Sequence, residues 1–340
     1  MSPRPVLFRA DASHAGGFGH VARVCAIIEE LQDRGGQPIV MFGGDAPALG
    51  AWAEYHKLAA LIGDWSFTQL AQVAQSENVS SVVLDGPHLV NDLVDKLAER
   101  KLRTVVLDDK GAITAPIAAV VNHNIHADTL AATYPNAKKK LLGRKYMMLR
   151  REIRRYTRGS CRPMNMARLR VVITYGGSDP PDATSRTLKL LPADRALELV
   201  VIAGPGYLHD EPLLEAIAFA RDQGHTVDLR RNPDDPGALF VSADAAICSA
   251  GGTLGELAYL GCPALAYAIA ADQVAPARHQ VRGGLIFGGR TWAETPDATL
   301  SADFEAFLLD DAGRAQQRQR ALATADGDGA KRIVQEALEL

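Results

Sequence analysis

Short, unbroken runs of Val, Ile, Leu and Ala alternate with stretches of helical period along this whole chain, and that pattern limits its fold more than any other feature. A strand with one wet face alternates apolar and polar residues. A strand covered on both faces reads as a continuous apolar run. In the first half such runs fall at residues 6–10, 38–42, 82–85, 104–108 and 118–122; in the second, at 169–174, 197–203, 226–229, 245–248 and 264–268. Between the first two runs, Val21, Val24, Cys25, Ile28 and Leu31 share one helical face, and Arg34-Gly35-Gly36 ends it. Strands separated by helices pair in parallel beneath helices on both faces. The pattern therefore predicts an α/β protein with two doubly wound, Rossmann-like domains.

A length of 340 residues accommodates two such domains, and the 47% apolar content supplies their cores. We place the domains at residues 1–155 and 165–315, followed by a helical segment over 316–340. The stretch 151–168, rich in Arg and polar residues, with Pro163 and no sustained period, reads as the linker. The tail has helical composition interrupted at Asp326-Gly327-Asp328-Gly329, which predicts one helix before the break and one after. No internal repeat or low-complexity tract is visible. A net charge of -3 supplies no basic field for nucleic acid. Cys25, Cys161, Cys248 and Cys262 form no C-x-x-C pair and read as free thiols of a reducing compartment. The N-terminus lacks the apolar core of a signal peptide, and no apolar run approaches about 18 residues. The expectation is a soluble cytoplasmic protein without a membrane span.

Each half also carries a Gly-rich turn between a strand and a helix. Gly16-Gly17-Phe18-Gly19-His20 follows the first run, and Ser249-Ala250-Gly251-Gly252-Thr253 follows a run in the second half. A helix N-terminus offers unpaired N–H groups and a partial positive charge, so both turns suit an anion. Two such turns, one per half, point to a diphosphate-bearing ligand in an interdomain cleft. Gly17-x-Gly19-x-x-Ala22 also satisfies the dinucleotide fingerprint. Residues 11–16 hold that fingerprint away from its strand, however. The second strand ends Met41-Phe42-Gly43-Gly44 with no acid at its tip for a ribose. A nicotinamide or flavin enzyme is disfavoured, and no cofactor is expected.

His20 stands in the first helical turn, where the dipole helps keep an imidazole neutral and basic. The alternative is a histidine that caps the turn. Arg23, at i+3, shares its face and can meet a carboxylate such as Asp11 or a substrate oxygen; the structural pair is favoured. In the second turn, Ser249 and Thr253 add hydroxyl donors. Glu256 either accepts from a ribose diol or completes a capping box with Thr253. A third turn, Thr174-Tyr175-Gly176-Gly177-Ser178-Asp179-Pro180, either admits a ligand or is a tight turn closed by Asp179-Pro180. Ala203-Gly204-Pro205-Gly206 ends the next strand as a turn that can also line a nucleotide.

Taken together these segments resemble the PseG/SpsG family. The similarity runs through Phe8-Arg9-Ala10-Asp11-Ala12-Ser13, then Gly17-Phe18-Gly19-His20-Val21-x-Arg23 and Leu142-Gly143-x-Lys145-Tyr146-x-x-Leu149-Arg150-x-Glu152. It continues through Gly176-Gly177-Ser178-Asp179-Pro180 and Ser249-Ala250-Gly251-Gly252-Thr253-x-x-Glu256-Leu257, and so spans about residues 5–335. The resemblance implies a GT-B architecture related to MurG, with two Rossmann-like domains facing across a cleft. It implies hydrolysis of UDP-2,4-diacetamido-2,4,6-trideoxy-β-L-altropyranose to UDP and free sugar, toward pseudaminic acid. His20 would activate water, with Gly17 and Gly19 beside it on the sugar side. Ser249, Ala250, Gly251, Gly252 and Thr253 would hold the diphosphate, and Glu256 the ribose. Gly176, Gly177, Ser178 and Gly204 would line the nucleotide. Asp272 and Gln273 would lie near the sugar or phosphate, and Asn122 and Tyr146 would line the sugar. No metal is implied; the expected partner is a UDP-sugar, to a chain that is monomeric by preference.

Two departures fall on the sugar side. Where the family carries aspartate, a variable residue and tyrosine, this chain has Asp85-Gly86-Pro87-His88, and Ala270-Ala271-Asp272-Gln273 replaces the family's A-D-N-Q. His88 can stand in for the tyrosine or lie in solvent. A GT-B glycosyltransferase using a UDP-sugar donor is the rival reading, and a nucleotide-sugar-binding module without turnover is a third. Lys138-Lys139-Lys140, with Arg144 and Lys145, reads as a solvated face.

Overall fold

The computed structural model describes residues 5–12, 17–44, 46–86, 91–162 and 168–339. The chain divides into two compact units: residues 1–151 with 327–340, and residues 152–326.

Unit 1 contains β1 (Val6–Ala12), α1 (Gly19–Asp33), β2 (Pro38–Gly44), α2 (Ala46–Tyr55), β3 (Ala60–Ile62) and α3 (Phe67–Ser76). It continues through β4 (Ser81–Asp85), α4 (Asn91–Glu99), β5 (Arg103–Leu107), β6 (Ile117–Asn122) and β7 (Ala137–Leu142). The seven strands pair in parallel in the order β3-β2-β1-β4-β5-β6-β7. Alternation along β1 sends Val6, Phe8, Ala10 and Ala12 to the face covered by α1, whose Val21, Val24, Cys25, Ile28 and Leu31 are all buried. Leu7 points the other way, into a core with Met41, Val82, Leu84 and Val106 beneath α3 and α4. Each fully buried aliphatic side chain contributes about 1.5–3 kcal/mol relative to exposure. Every central strand therefore needs apolar residues at consecutive positions, as the sequence pattern requires.

The short helix α5 (Arg151–Arg154) leads into unit 2, which contains β8 (Arg170–Thr174), α6 (Ala183–Leu190), β9 (Glu198–Ala203), α7 (Asp210–Asp222), β10 (Thr226–Arg231), α8 (Pro236–Val241) and β11 (Ala245–Ser249). Then come α9 (Thr253–Leu260), β12 (Ala264–Ala268), α10 (Ala271–Arg282), β13 (Phe287–Thr291), α11 (Asp297–Leu309) and α12 (Asp311–Leu322). Its six strands are again all parallel, in the order β10-β9-β8-β11-β12-β13. Val171, Ile173, Val201, Ile247 and Leu265 pack against Trp292 and Phe304, and Tyr175 and Tyr267 flank Trp292 with ring centroids at 5.2 and 5.3 Å. All four cysteines are buried thiols, and none is in a disulfide.

Three features differ from the sequence expectation. The tail is not one separate segment: α12 belongs to unit 2, whereas residues 327–340 return to unit 1. There Ile333, Val334 and Ala337 join the core under α1. Gly329 permits that return, since a Cβ on it would lie 2.0 Å from the Met147 carbonyl oxygen. The expected linker is largely anchored. Gly159 and Cys161 donate backbone hydrogen bonds to Tyr259 and Leu260, and Arg162 donates one to Val241; residues 163–167 lie outside those described. Finally, β3, β7 and β13 were not anticipated. All three are sheet edges, where one side meets solvent and the apolar run breaks down. The Lys138–Lys140 stretch is part of β7, alternating half-buried and exposed positions. No helix among the described residues is long and apolar enough to cross a membrane.

Candidate active site

In an open parallel sheet, ligands bind beyond the carboxyl ends of the strands where strand order reverses. In unit 1 that point lies between β1 and β4. The chain leaves β1 at Ala12; residues 13–16, Gly16 among them, lie outside those described. Gly17 takes a left-handed φ of 73°, and Phe18 anchors the turn by stacking on Trp52 at 5.6 Å. A Cβ on Gly19 would meet nothing within 4 Å, so this exposed glycine borders open space.

His20 follows in the first turn of α1. Its Nδ1 lies 2.7 Å from Oδ1 of Asp85, the last residue of β4. The Asp85 side chain is wholly buried, and that of His20 is 25% exposed. Arg23 Nη2 also lies 3.1 Å from Nδ1, and a single tautomer cannot satisfy both neighbours. The shorter contact, to a full negative charge that can only accept, places the proton on Nδ1 and leaves Nε2 as the acceptor.

Arg23 grips Asp85 with both ends of its fork, Nε to Oδ2 at 2.5 Å and Nη2 to Oδ1 at 2.7 Å, while Nη1 reaches Asp109 Oδ2 at 2.7 Å. The structural ion pair is therefore the correct alternative for Arg23, but Asp11 is not its partner. Asp11 and Arg9 share the face of β1 opposite α1 and pair with each other at 2.7 Å. Both lie across Gly43, where a Cβ would approach Asp11 Oδ1 to 2.4 Å and Arg9 Nη1 to 2.5 Å.

Beyond Arg23, Asp109 Oδ1 accepts from Asn124 Nδ2 at 2.8 Å, and Asn122 Oδ1 accepts from the Asn124 backbone and side chain, each at 3.0 Å. Asn122 is fully buried and donates to Tyr134 Oη at 3.4 Å. The network so runs across the carboxyl ends of β4, β5 and β6. Burial works to raise both aspartates, but the Arg23 guanidinium outweighs it and holds both below the usual carboxylate range. Burial drives the His123 imidazole down to about 4, with Asp109 opposing, so His123 is neutral at pH 7. Tyr146, expected at the sugar, is buried instead, and its hydroxyl donates to Glu336 at 3.0 Å. Pro87 and His88 lie outside the described residues.

In unit 2 the strand order reverses between β8 and β11. The turn after β8 holds Gly176 at φ 88°, where a Cβ would sit 3.8 Å from Ser249 Oγ. Gly204 closes against it, since a Cβ there would come within 2.5 Å of Gly177 Cα; the Gly206 N–H donates to the Gly177 carbonyl at 2.8 Å. After β11, the Ala250 N–H donates to Tyr267 at 2.8 Å, extending the ladder before the chain turns at Gly251. Gln273, in the first turn of α10, accepts from the Ile269 N–H at 3.0 Å, and its Nε2 would lie 3.5 Å from a Cβ on Gly251. Gly252 is exposed, with open space where its Cβ would be.

The helix α9 starts at Thr253, with Gly252 as its N-cap and no side-chain cap. The capping box read from T-x-x-E is therefore not formed, and Glu256 is buried in the first turn. Ser178 is buried. Asp179 does more than close a tight turn: its carboxylate accepts from the Ala183 and Thr184 N–H groups, each at 2.9 Å, at the start of α6. Burial raises Asp179 against those bonds. Asp272 is exposed in the first turn of α10. Unit 2 thus gathers Gly176, Gly177, Gly204, Ser249, Gly251 and Gln273 at one end of its sheet. Unit 1 gathers His20 with Asp85, Arg23 and Asp109, of which the carboxylates had not been assigned a site role.

No family model matches the chain. Among curated proteins it is 24% identical over 260 residues to uncharacterized protein MJ1062 of Methanocaldococcus jannaschii, a match over 74% of this chain and 53% of that protein. The chain thus spans about half the length of the curated relative it matches. Among solved structures it is similar to MurG of Acinetobacter baumannii, at TM-score 0.70 and 16% identity over 99% of this chain and 100% of that one. It is also similar to S. aureus MnaA solved with UDP, at TM-score 0.67 and 12% identity over 99% and 97% of the two chains. A UDP-GlcNAc 2-epimerase from Neisseria meningitidis bound to UDP-GlcNAc follows, at TM-score 0.63 and 11% identity over 99% and 100%. With its two parallel-sheet α/β units, the chain has the GT-B fold.

Proposed function

We propose that this protein is an enzyme acting on a UDP-sugar, and that it hydrolyses a UDP-activated diacetamido-trideoxy sugar to UDP and free sugar. The observation that carries this reading is the partly exposed His20 ring, fixed through Nδ1 by the buried Asp85 carboxylate, with Nε2 left as a base. Nε2 takes a proton from water as the water oxygen bonds to the anomeric carbon, and the anomeric C–O bond breaks with UDP as leaving group. The imidazolium so formed faces Asp85, which offsets its charge. Diphosphate binding is assigned to Ser249–Thr253, whose helix N-terminus stabilises the leaving group. Glu256 is assigned to the ribose. UDP and UDP-GlcNAc are bound in two proteins of similar fold, which supports the nucleotide part of the reading.

The test is product analysis in ¹⁸O-labelled water with a panel of UDP-sugars, the altrose nucleotide included. Hydrolysis at carbon yields UDP without label and free sugar carrying it. UDP release that requires an added acceptor would favour the transferase reading, which the likeness to MurG also supports. Tight UDP binding without turnover of any panel member would favour the binding module.

A further inference from the structure

The geometry points to Asp109 as a positioning residue for the His20 base: by balancing the charge of Arg23, it leaves the Asp85 carboxylate to serve His20; this deepens the reading of His20 as the base and rests on it. Arg23 stands among three partners. Its fork bonds Asp85 at 2.5 and 2.7 Å, its Nη1 bonds Asp109 at 2.7 Å, and its Nη2 comes to 3.1 Å from His20 Nδ1. The Asp85 side chain is wholly buried and Arg23 is nearly so, so water screens these charges weakly. With His20 neutral, one guanidinium faces two carboxylates, and the cluster carries one negative charge in excess. The proton taken by Nε2 brings that excess to zero. Without Asp109, Arg23 would neutralise Asp85 by itself. The same proton would then leave an unbalanced positive charge on a ring beside the guanidinium.

The loop after β5 is built to hold Asp109 there. The neighbouring Asp108 carboxylate accepts from the Lys110, Ala112 and Ile113 N–H groups at 2.9, 2.7 and 2.9 Å, and the Asp108 carbonyl accepts from Tyr134 Oη at 2.8 Å. The second oxygen of Asp109 is fixed by Asn124 at 2.8 Å. Burial works to raise Asp109, but Arg23 holds it below the usual carboxylate range, so it is ionised wherever an imidazole titrates. The other charged or titratable groups that act at this end of the sheet are His123, after β6, and Arg144, after β7. Burial keeps His123 neutral at pH 7, so it does not replace the charge of Asp109 or Arg23.

NMR titration of the imidazole signals, with His20 assigned from His20→Ala, tests this without any substrate. Asp109→Asn should move the His20 midpoint down by about one pH unit, the effect of removing one opposite charge near a partly exposed ring. Asp109→Ser, which admits water beside Arg23, should do the same if the asparagine variant does not fold. Asn124→Ala removes a hydrogen bond from Asp109 but not its charge, so thermal stability should fall while the midpoint holds within about 0.3 unit. Asp109→Glu, which keeps the charge, should restore most of the shift. In turnover, Asp109→Asn should lower kcat about three- to tenfold, move the acid limb of the pH profile the same way, and leave UDP affinity unchanged within about twofold. An unmoved midpoint in the Asp109 variants would overturn the inference. So would an equal shift in Asn124→Ala, which marks a structural role, or a shifted midpoint with unchanged turnover. Shifted midpoints in a protein that turns over no UDP-sugar would instead overturn the UDP-sugar reading and leave the charge balance standing.

Discussion

Replacing Asp85 with asparagine keeps the shape of the His20 partner and removes its charge. In the native protein, one buried carboxylate serves Arg23 through two hydrogen bonds and His20 through one. The amide keeps one acceptor oxygen: in the Oδ1 position it loses the Arg23 Nε contact, and in the Oδ2 position it loses both His20 and Arg23 Nη2. Removing one member of a buried ion pair costs about 3–5 kcal/mol when the other is stranded. Here Arg23 retains Asp109 at 2.7 Å, so the loss should fall lower, at about 2–3 kcal/mol. For a domain of this size that lowers Tm by about 4–12 °C. The effect on turnover should be larger in proportion. An amide N–H₂ turned toward Nδ1 stabilises the tautomer with the proton on Nε2, which cannot act as a base. A wrong tautomer costs on the order of 10²–10⁴ in kcat. UDP release and calorimetric UDP binding, measured on the same preparation, separate the two effects. A kcat within threefold of wild type, with UDP affinity unchanged, would refute the positioning role of Asp85.

The other expectations concern single positions. Gly252→Ala places its methyl in open space at helical φ, so thermal stability should hold or rise by about 0.4–1 kcal/mol. UDP affinity, read by calorimetry, should nevertheless fall about tenfold if a phosphate lies against this backbone. Gly329→Ala drives a methyl to 2.0 Å from the Met147 carbonyl oxygen and should cost about 2 kcal/mol or more in urea unfolding. Acid should weaken unit 1 in two stages. His123 is lowered to about 4 when folded, so the unfolded chain binds the proton first and stability falls as pH drops from about 6.5 toward 4. Below that, stability held by the depressed Asp85 and Asp109 is lost as they protonate. Urea midpoints at pH 7, 5.5 and 4.5 should show a smaller first stage in His123→Gln than in wild type, the remainder coming from His225, which burial also lowers.

The central strands were legible because burial on both faces leaves a mark on consecutive residues. Runs such as 82–85 and 245–248, too short for a helix and rich in Val, Ile, Leu and Ala, carry that mark. The edges were not legible for the same reason in reverse: Lys138–Lys140 and Phe287-Gly288-Gly289-Arg290-Thr291 lie where solvent replaces a neighbour. The Gly-rich turns and His20 were visible as local patterns. Their partners were not, because Asp85, Asp109 and Asn124 meet Arg23 and His20 only through the strand order β1-β4-β5-β6. A signal was nonetheless present, in that each of these apolar runs ends on a polar residue or leads into one: Asp85, Asp108-Asp109, Asn122-His123-Asn124. Polar residues at successive carboxyl ends of parallel strands are candidates to share a site once the order is known. Of the two alternatives for Glu256, the T-x-x-E capping box is not formed, because that pattern puts the helix start one residue late; Gly252, without a side chain, is the N-cap.

Turnover of the UDP-sugar by wild type and His20→Ala, each with its UDP dissociation constant, tests the account most directly. The expected result is a fall of about 10³-fold or more in kcat with UDP affinity unchanged within about twofold. Turnover preserved in His20→Ala would contradict it, since no other group has been assigned as the base that deprotonates water.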